Sequence, residues 1–123
     1  VTDVLASRIL LRPRDRAVTT AFYRDVLGLA VHREFPGGTV FFAGGGYIEV
    51  AGSSADGPGA GVALWLQVRD VAAAAAELAA HVVREPRLEP WGLREMWIAD
   101  PDGVRIALVE VPPDHPIRRD PRT

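Results

Sequence analysis

The sequence predicts an α+β fold of two tandem βαβββ modules, each a curved, cup-like, antiparallel-rich mixed sheet with its helix outside. Three observations carry this reading. The order of elements runs through the chain twice. Strand-like runs alternate apolar and polar residues with period two. Each opening strand leads into an Arg-Asp pair, Arg14-Asp15 and then Arg69-Asp70, placed to start a helix.

In order along the chain, Leu5 to Arg12 reads as the first strand. Asp15 is a helix N-cap, because its carboxylate accepts from an otherwise unpaired N–H of the first turn. Ala17, Val18, Ala21, Phe22 and Val26 recur at helical spacing as an apolar stripe, and Gly28 closes the helix. Leu29 to Phe35 is a second strand, turned by Pro36-Gly37-Gly38 into Thr39 to Ala43. Gly44-Gly45-Gly46 reverses the chain into Tyr47 to Gly52. Positions 53–61, rich in Gly, Ser and Ala, read as a linker. Val62 to Arg69 is the fifth strand, and Asp70 caps an alanine-rich helix through Ala80. Val82 to Leu88 and Arg94 to Ala99 follow as strands around Pro90-Trp91-Gly92. Asp100-Pro101-Asp102-Gly103 turns into the last strand, Val104 to Val111. The expected division is one domain over 1–123: module one at 1–52, module two at 62–111, and an irregular tail at 112–123.

Composition bounds the function. Length 123 fits a single domain, and 48% hydrophobic with 24% charged residues is ordinary for a soluble protein. A formal net charge of −2 argues against a dedicated nucleic-acid or anionic-membrane binder. No apolar run approaches the ~20 residues that span a bilayer, and no signal-peptide pattern opens the sequence. Zero cysteines exclude disulfides, thiolate metal sites and cysteine nucleophiles. The expected location is cytoplasmic.

The repeat has an internal register. Asp15 and Asp70 lie 55 positions apart, which sets Arg8 against Ala63; Gly45 and Gly103 lie 58 apart, which sets Glu49 against Ala107. Arg8, Glu49, Ala63 and Ala107 are therefore equivalent positions.

Strand parity separates two faces. Ile9 and Leu11, Ile48 and Val50, Leu64 and Leu66, and Ile106 and Leu108 form an aliphatic face suited to helix packing. The opposite face carries Arg8, Leu10, Arg12, Tyr47, Glu49, Trp65, Gln67 and Arg105, and a Gly44-Gly45 hairpin adds Phe42. Arg94 to Ala99 is too uniformly apolar for parity to assign; Met96 is kept among the ligand-binding candidates. A plain solvated face is the bland alternative. Three aromatics on such a face instead describe a binding surface.

Ala21-Phe22-Tyr23-Arg24-Asp25-Val26-Leu27-Gly28-Leu29 and Asp100-Pro101-Asp102-Gly103-Val104-Arg105-Ile106 resemble the glyoxalase, bleomycin-resistance and extradiol-dioxygenase superfamily, the vicinal oxygen chelate proteins. The layout extends from Leu5 to Val111. The resemblance implies that metal-dependent members place His or Glu on the first and last strands of each module, which are the four positions above. Arginine and alanine offer no donor to a cation, so one carboxylate is left where three or more ligands are usual. His32, His81 and His115 are assigned away from the face that bears Glu49. The expectation is no metal and no cofactor. Because the first and fourth strands of such a module are neighbours, an Arg8–Glu49 ion pair is expected in the place of the metal.

Pro90-Trp91-Gly92-Leu93-Arg94-Glu95 resembles a segment of the bleomycin-resistance proteins, which are metal-free, antibiotic-sequestering dimers. It makes Trp91 a candidate stacking wall. Their acidic grooves suit a cationic drug, whereas Arg8, Arg12 and Arg105 against Glu49 suit a neutral or anionic aromatic. The expected function is sequestration of such a compound by a homodimer. The alternative is a lyase, isomerase or dioxygenase, either with Glu49 as general base or with metal ligands that this register misaligns. A base needs a raised pKa, and an adjacent arginine lowers a carboxylate's.

Overall fold

The protein, described here from a computed structural model over residues 2–116, divides into two compact units spanning 1–58 and 59–123. The division falls inside the expected linker. Most of the expected irregular tail, 117–123, lies outside the described residues.

Unit one contains β1 (Ile9–Leu11), α1 (Arg16–Ala21), β2 (Val31–Phe35), β3 (Gly38–Ala43) and β4 (Gly46–Ala51) in a sheet of order β1-β4-β3-β2. Unit two contains β5 (Leu64–Gln67), α2 (Val71–Glu77), β6 (Val82–Leu88), β7 (Arg94–Ala99) and β8 (Arg105–Glu110) in the order β5-β8-β7-β6. In each sheet the first strand pairs parallel to the last and the other neighbours are antiparallel. This is the expected α+β pair of βαβββ modules.

Both aspartates cap as their sequence positions require. Asp15 accepts from the Val18 N–H at 3.2 Å and Asp70 from the Ala73 N–H at 3.0 Å. Glu110 of β8 accepts a further N–H at the start of α2, from Val71 at 3.0 Å. After Ala21 the first helix widens to π spacing over Phe22–Val26, with the Leu27 N–H on the Phe22 carbonyl, and ends at Gly28, whose φ of 73° favours glycine. The buried stripe is Thr19, Phe22 and Tyr23 rather than one including Val18, which is exposed. The large rings bury most apolar surface, and they set which side of the helix turns inward.

The first strand is shorter than expected. Pairing begins at Ile9, and Leu5 is 94% exposed, with no sheet neighbour to bury it. The fifth likewise begins at Leu64, behind an exposed Val62. Phe41, Ile48 and Val50 in unit one, and Ile98, Ile106 and Leu108 in unit two, are fully or almost fully buried. Asp100 closes the last hairpin by accepting from the N–H groups of Asp102 and Val104 at 2.8 and 3.0 Å.

Candidate ligand-binding face

Cross-strand register assigns every side chain to a face. In unit one Leu10 pairs Glu49, Val40 pairs Glu49, Phe42 pairs Tyr47 and Gly38 pairs Ala51. These residues share the side opposite Ile48 and Val50. In unit two Trp65 pairs Ala107, Trp97 pairs Ala107, and both Gln67 and Glu95 pair Val109. Leu10–Glu49 and Trp65–Ala107 occupy matching places in the two sheets, so the internal offsets of 55 and 58 read from the sequence match the pairing of the strands.

Arg8 precedes the first bridge of β1 and lies on the same side as Leu10. Its guanidinium donates to Glu49 Oε1 at 2.8 Å, the expected ion pair, with the carboxylate side chain only 12% exposed. Arg12 turns to the backbone and donates to the Ala51 carbonyl at 3.2 Å. Phe42 is 42% exposed, and its ring lies 5.6 Å from that of Tyr47.

His32 joins these two rings, at 4.7 Å from Phe42 and 5.0 Å from Tyr47. This corrects the expectation that no histidine shares the Glu49 side. The cause is a bulge in β2: Val31 pairs Phe41 and Arg33 pairs Val40, leaving His32 as an extra residue that breaks simple alternation. Arg33 lies over the Phe35 ring, 5.2 Å from its centroid. Residues of sequence run Val31 to Phe35 carry no signal for such a bulge.

In unit two Trp65 and Gln67 are exposed, and Arg105, paired with Ala99, is exposed beside them. Ala107 is buried beneath Trp97, within a cluster that includes Leu93, Val109 and Val111. Met96 pairs Leu108 on the helix side and is fully buried, which removes it from this surface. Trp91 is exposed; its indole N–H donates to Glu95 Oε2 at 2.6 Å, while His115 Nε2 donates to its carbonyl at 3.1 Å. Glu89 anchors the same loop, accepting from Arg84 at 2.7 Å and Arg87 at 2.9 Å. The hydrogen bond from Arg87, with the charges of both arginines, holds the Glu89 pKa below its ordinary value although burial opposes this. The exposed Asp25 carboxyl is also lowered, by its hydrogen bond from Arg24.

A groove of about 590 Å³ lies elsewhere in unit one, against Asp15, Arg16, Thr20, Arg24, Glu34 and Gly37. It holds none of the sequence-predicted site residues, and its donors are mostly engaged in capping, turn or surface pairs.

The four equivalent positions do not suit a metal. Arg8, Ala63 and Ala107 have no donor lone pair for a cation, and the Glu49 carboxylate is taken by Arg8. Among the described residues no group of three or more His, Cys, Asp or Glu is arranged to hold one.

The chain belongs to the Glyoxalase/Bleomycin resistance protein/Dioxygenase superfamily, which matches residues 6–108. No curated protein matches it significantly. Among solved structures, it is similar to a protein of unknown function from Agrobacterium tumefaciens str. C58, at 22% identity and TM-score 0.78, over 91% of this chain and 98% of that one. It is also similar to a glyoxalase/bleomycin resistance protein/dioxygenase from Nocardioides, at 19% identity and TM-score 0.74, over 90% and 85%. TnmS3, an antibiotic binding protein from Streptomyces sp. CB03234, aligns at 21% identity and TM-score 0.74, over 91% and 99%. Likeness at these identities establishes the shared fold.

Proposed function

We propose that this protein sequesters a neutral or anionic aromatic small molecule, of the kind that confers resistance to an antibiotic or natural product, and that it works without a metal as a cytoplasmic homodimer. The observation that carries the reading is the Arg8–Glu49 ion pair on the first and last strands of module one, on the same sheet side as the rings of His32, Phe42 and Tyr47. The pair keeps Glu49 engaged, which disfavours its use as a general base. Arg8 has further N–H donors for a ligand carbonyl, phenolate or carboxylate. Exposed Phe42 supplies apolar area with little conformational freedom to lose; unit two by itself exposes Trp65, Trp91, Gln67 and Arg105, the remaining candidates for ligand contact. The fold shared with TnmS3 is compatible with this use.

A thermal-shift screen of aromatic antibiotics and polyketides, with metal analysis of the purified protein, tests the proposal. Stabilisation by a flat aromatic in protein free of bound metal supports it. Stoichiometric iron, manganese, nickel or zinc contradicts it. Light scattering at micromolar concentration checks the dimer, which a monomeric mass would exclude.

A further inference from the structure

The bulge at His32 has a consequence for which ligand the face accepts. The sheet of unit one runs β1-β4-β3-β2. Arg8 sits one residue ahead of the Ile9–Ile48 bridge and so falls on the Tyr47 row; Tyr47 pairs Phe42; and the Phe42 ring meets His32. The His32 ring also meets that of Tyr47, so imidazole, phenyl and phenol form one compact cluster with every pair of centroids 4.7–5.6 Å apart, on the side of the sheet that carries Arg8. Alternation counted back from Arg33 would have turned position 32 to the helix side, away from these rings.

The charge along this face is asymmetric. Arg8, Arg12 and Arg33 lie on it with Glu49 as the acid that pairs Arg8. Glu34, the next residue of β2, pairs Thr39 and so turns to the other side. The excess is cationic, which favours an anionic or oxygen-rich group near Arg8 and disfavours an ammonium. The three clustered rings present polarizable faces.

Resting on the sequestration reading, we propose that His32 is a ligand-binding residue, one of three clustered rings that together stack a flat aromatic whose acidic or oxygen-rich end lies at Arg8. Phe42 and Tyr47 are its neighbours in the cluster, and the imidazole touches both. His32 is exposed, so its replacement leaves the core intact.

The probes are anthracene-2-carboxylate and anthracene-2-methanol, which share a fluorescent ring system and differ in charge. Binding is followed by fluorescence anisotropy for the wild type and for His32→Ala, His32→Phe and Arg8→Ala, each first checked for an unchanged circular-dichroism spectrum. Wild type is expected to bind the carboxylate more tightly than the alcohol. His32→Ala weakens both probes about threefold to tenfold, the range of one aromatic contact, while His32→Phe stays near wild type. Arg8→Ala removes the preference for the carboxylate. Unchanged binding in His32→Ala overturns the inference and leaves sequestration standing. Failure of both probes to bind the wild type overturns the proposed ligand class, whereas a hit of another chemistry in the antibiotic screen still upholds sequestration.

Discussion

Trp97 packs on Ala107, its partner across β7 and β8, in the sheet position that Glu49 fills in the first module. The small Ala107 side chain leaves room there for an indole. The two modules thus differ at one place in the fold: the first holds an ion pair, and the second an apolar contact.

Introducing an acid at position 107 is therefore expected to be costly. Ala107→Glu places an uncompensated carboxyl under Trp97 and lowers stability by ~3 kcal/mol. Urea denaturation measures the loss. An unchanged midpoint would mean that Trp97 moves aside freely.

Arg8→Ala separates ligand recognition from stability. The Arg8 side chain is 43% exposed, and exposed pairs contribute ~0–1 kcal/mol, so melting shifts by a few degrees at most. A lost charged hydrogen bond to the ligand costs ~1.5–3 kcal/mol, or about tenfold or more in affinity. Calorimetric titration with a screening hit, beside a thermal melt, compares the two. Equal affinity for variant and wild type would reduce the pair to a structural feature.

Acid is expected to loosen the loop that presents Trp91. The folded-state pKa of Glu89 is lowered from 4.5, so its contribution to stability is fully present above about 4.5 and lost as pH falls through the lower folded-state value. Urea midpoints of wild type and Glu89→Gln differ most near pH 6 and converge as pH drops toward 3. A difference independent of pH in that window would contradict the assignment.

Gly38 is a packing constraint rather than a turn requirement. A Cβ there would lie 2.6 Å from the Phe35 ring and 2.7 Å from the Ala51 Cβ. Gly38→Ala is expected to destabilise by ~1–3 kcal/mol through overpacking, read from the same denaturation curves. A neutral effect would show that Phe35 has another place to go.

Most of the fold was legible because it rests on local rules. Asp15 and Asp70 announce their caps, Gly28 and Gly103 their left-handed turns at φ of 73° and 86°, and period-two alternation assigned four of the strands. The Arg8–Glu49 contact followed from the expected adjacency of first and last strands. His32 was not legible, since a bulge shifts the face of a residue without leaving a mark in the sequence. Met96 and Trp97 were readable in principle. Arg94 to Ala99 is apolar on both faces, which hides its parity, but counting outward from the Asp100–Gly103 turn sets Trp97 opposite Ala107 and Met96 opposite Leu108. The same count through Gly44-Gly45 had already placed Phe42 opposite Tyr47.

The central claim is that this face holds a molecule and returns it unaltered. Its most direct test incubates the protein with an excess of its best screening hit, separates bound from free, and determines the mass of each fraction. The account predicts a saturating, fixed ratio of bound compound, of unchanged mass, with no new species accumulating in the free fraction over hours. A product that grows with time and scales with protein concentration would contradict it and identify an enzyme.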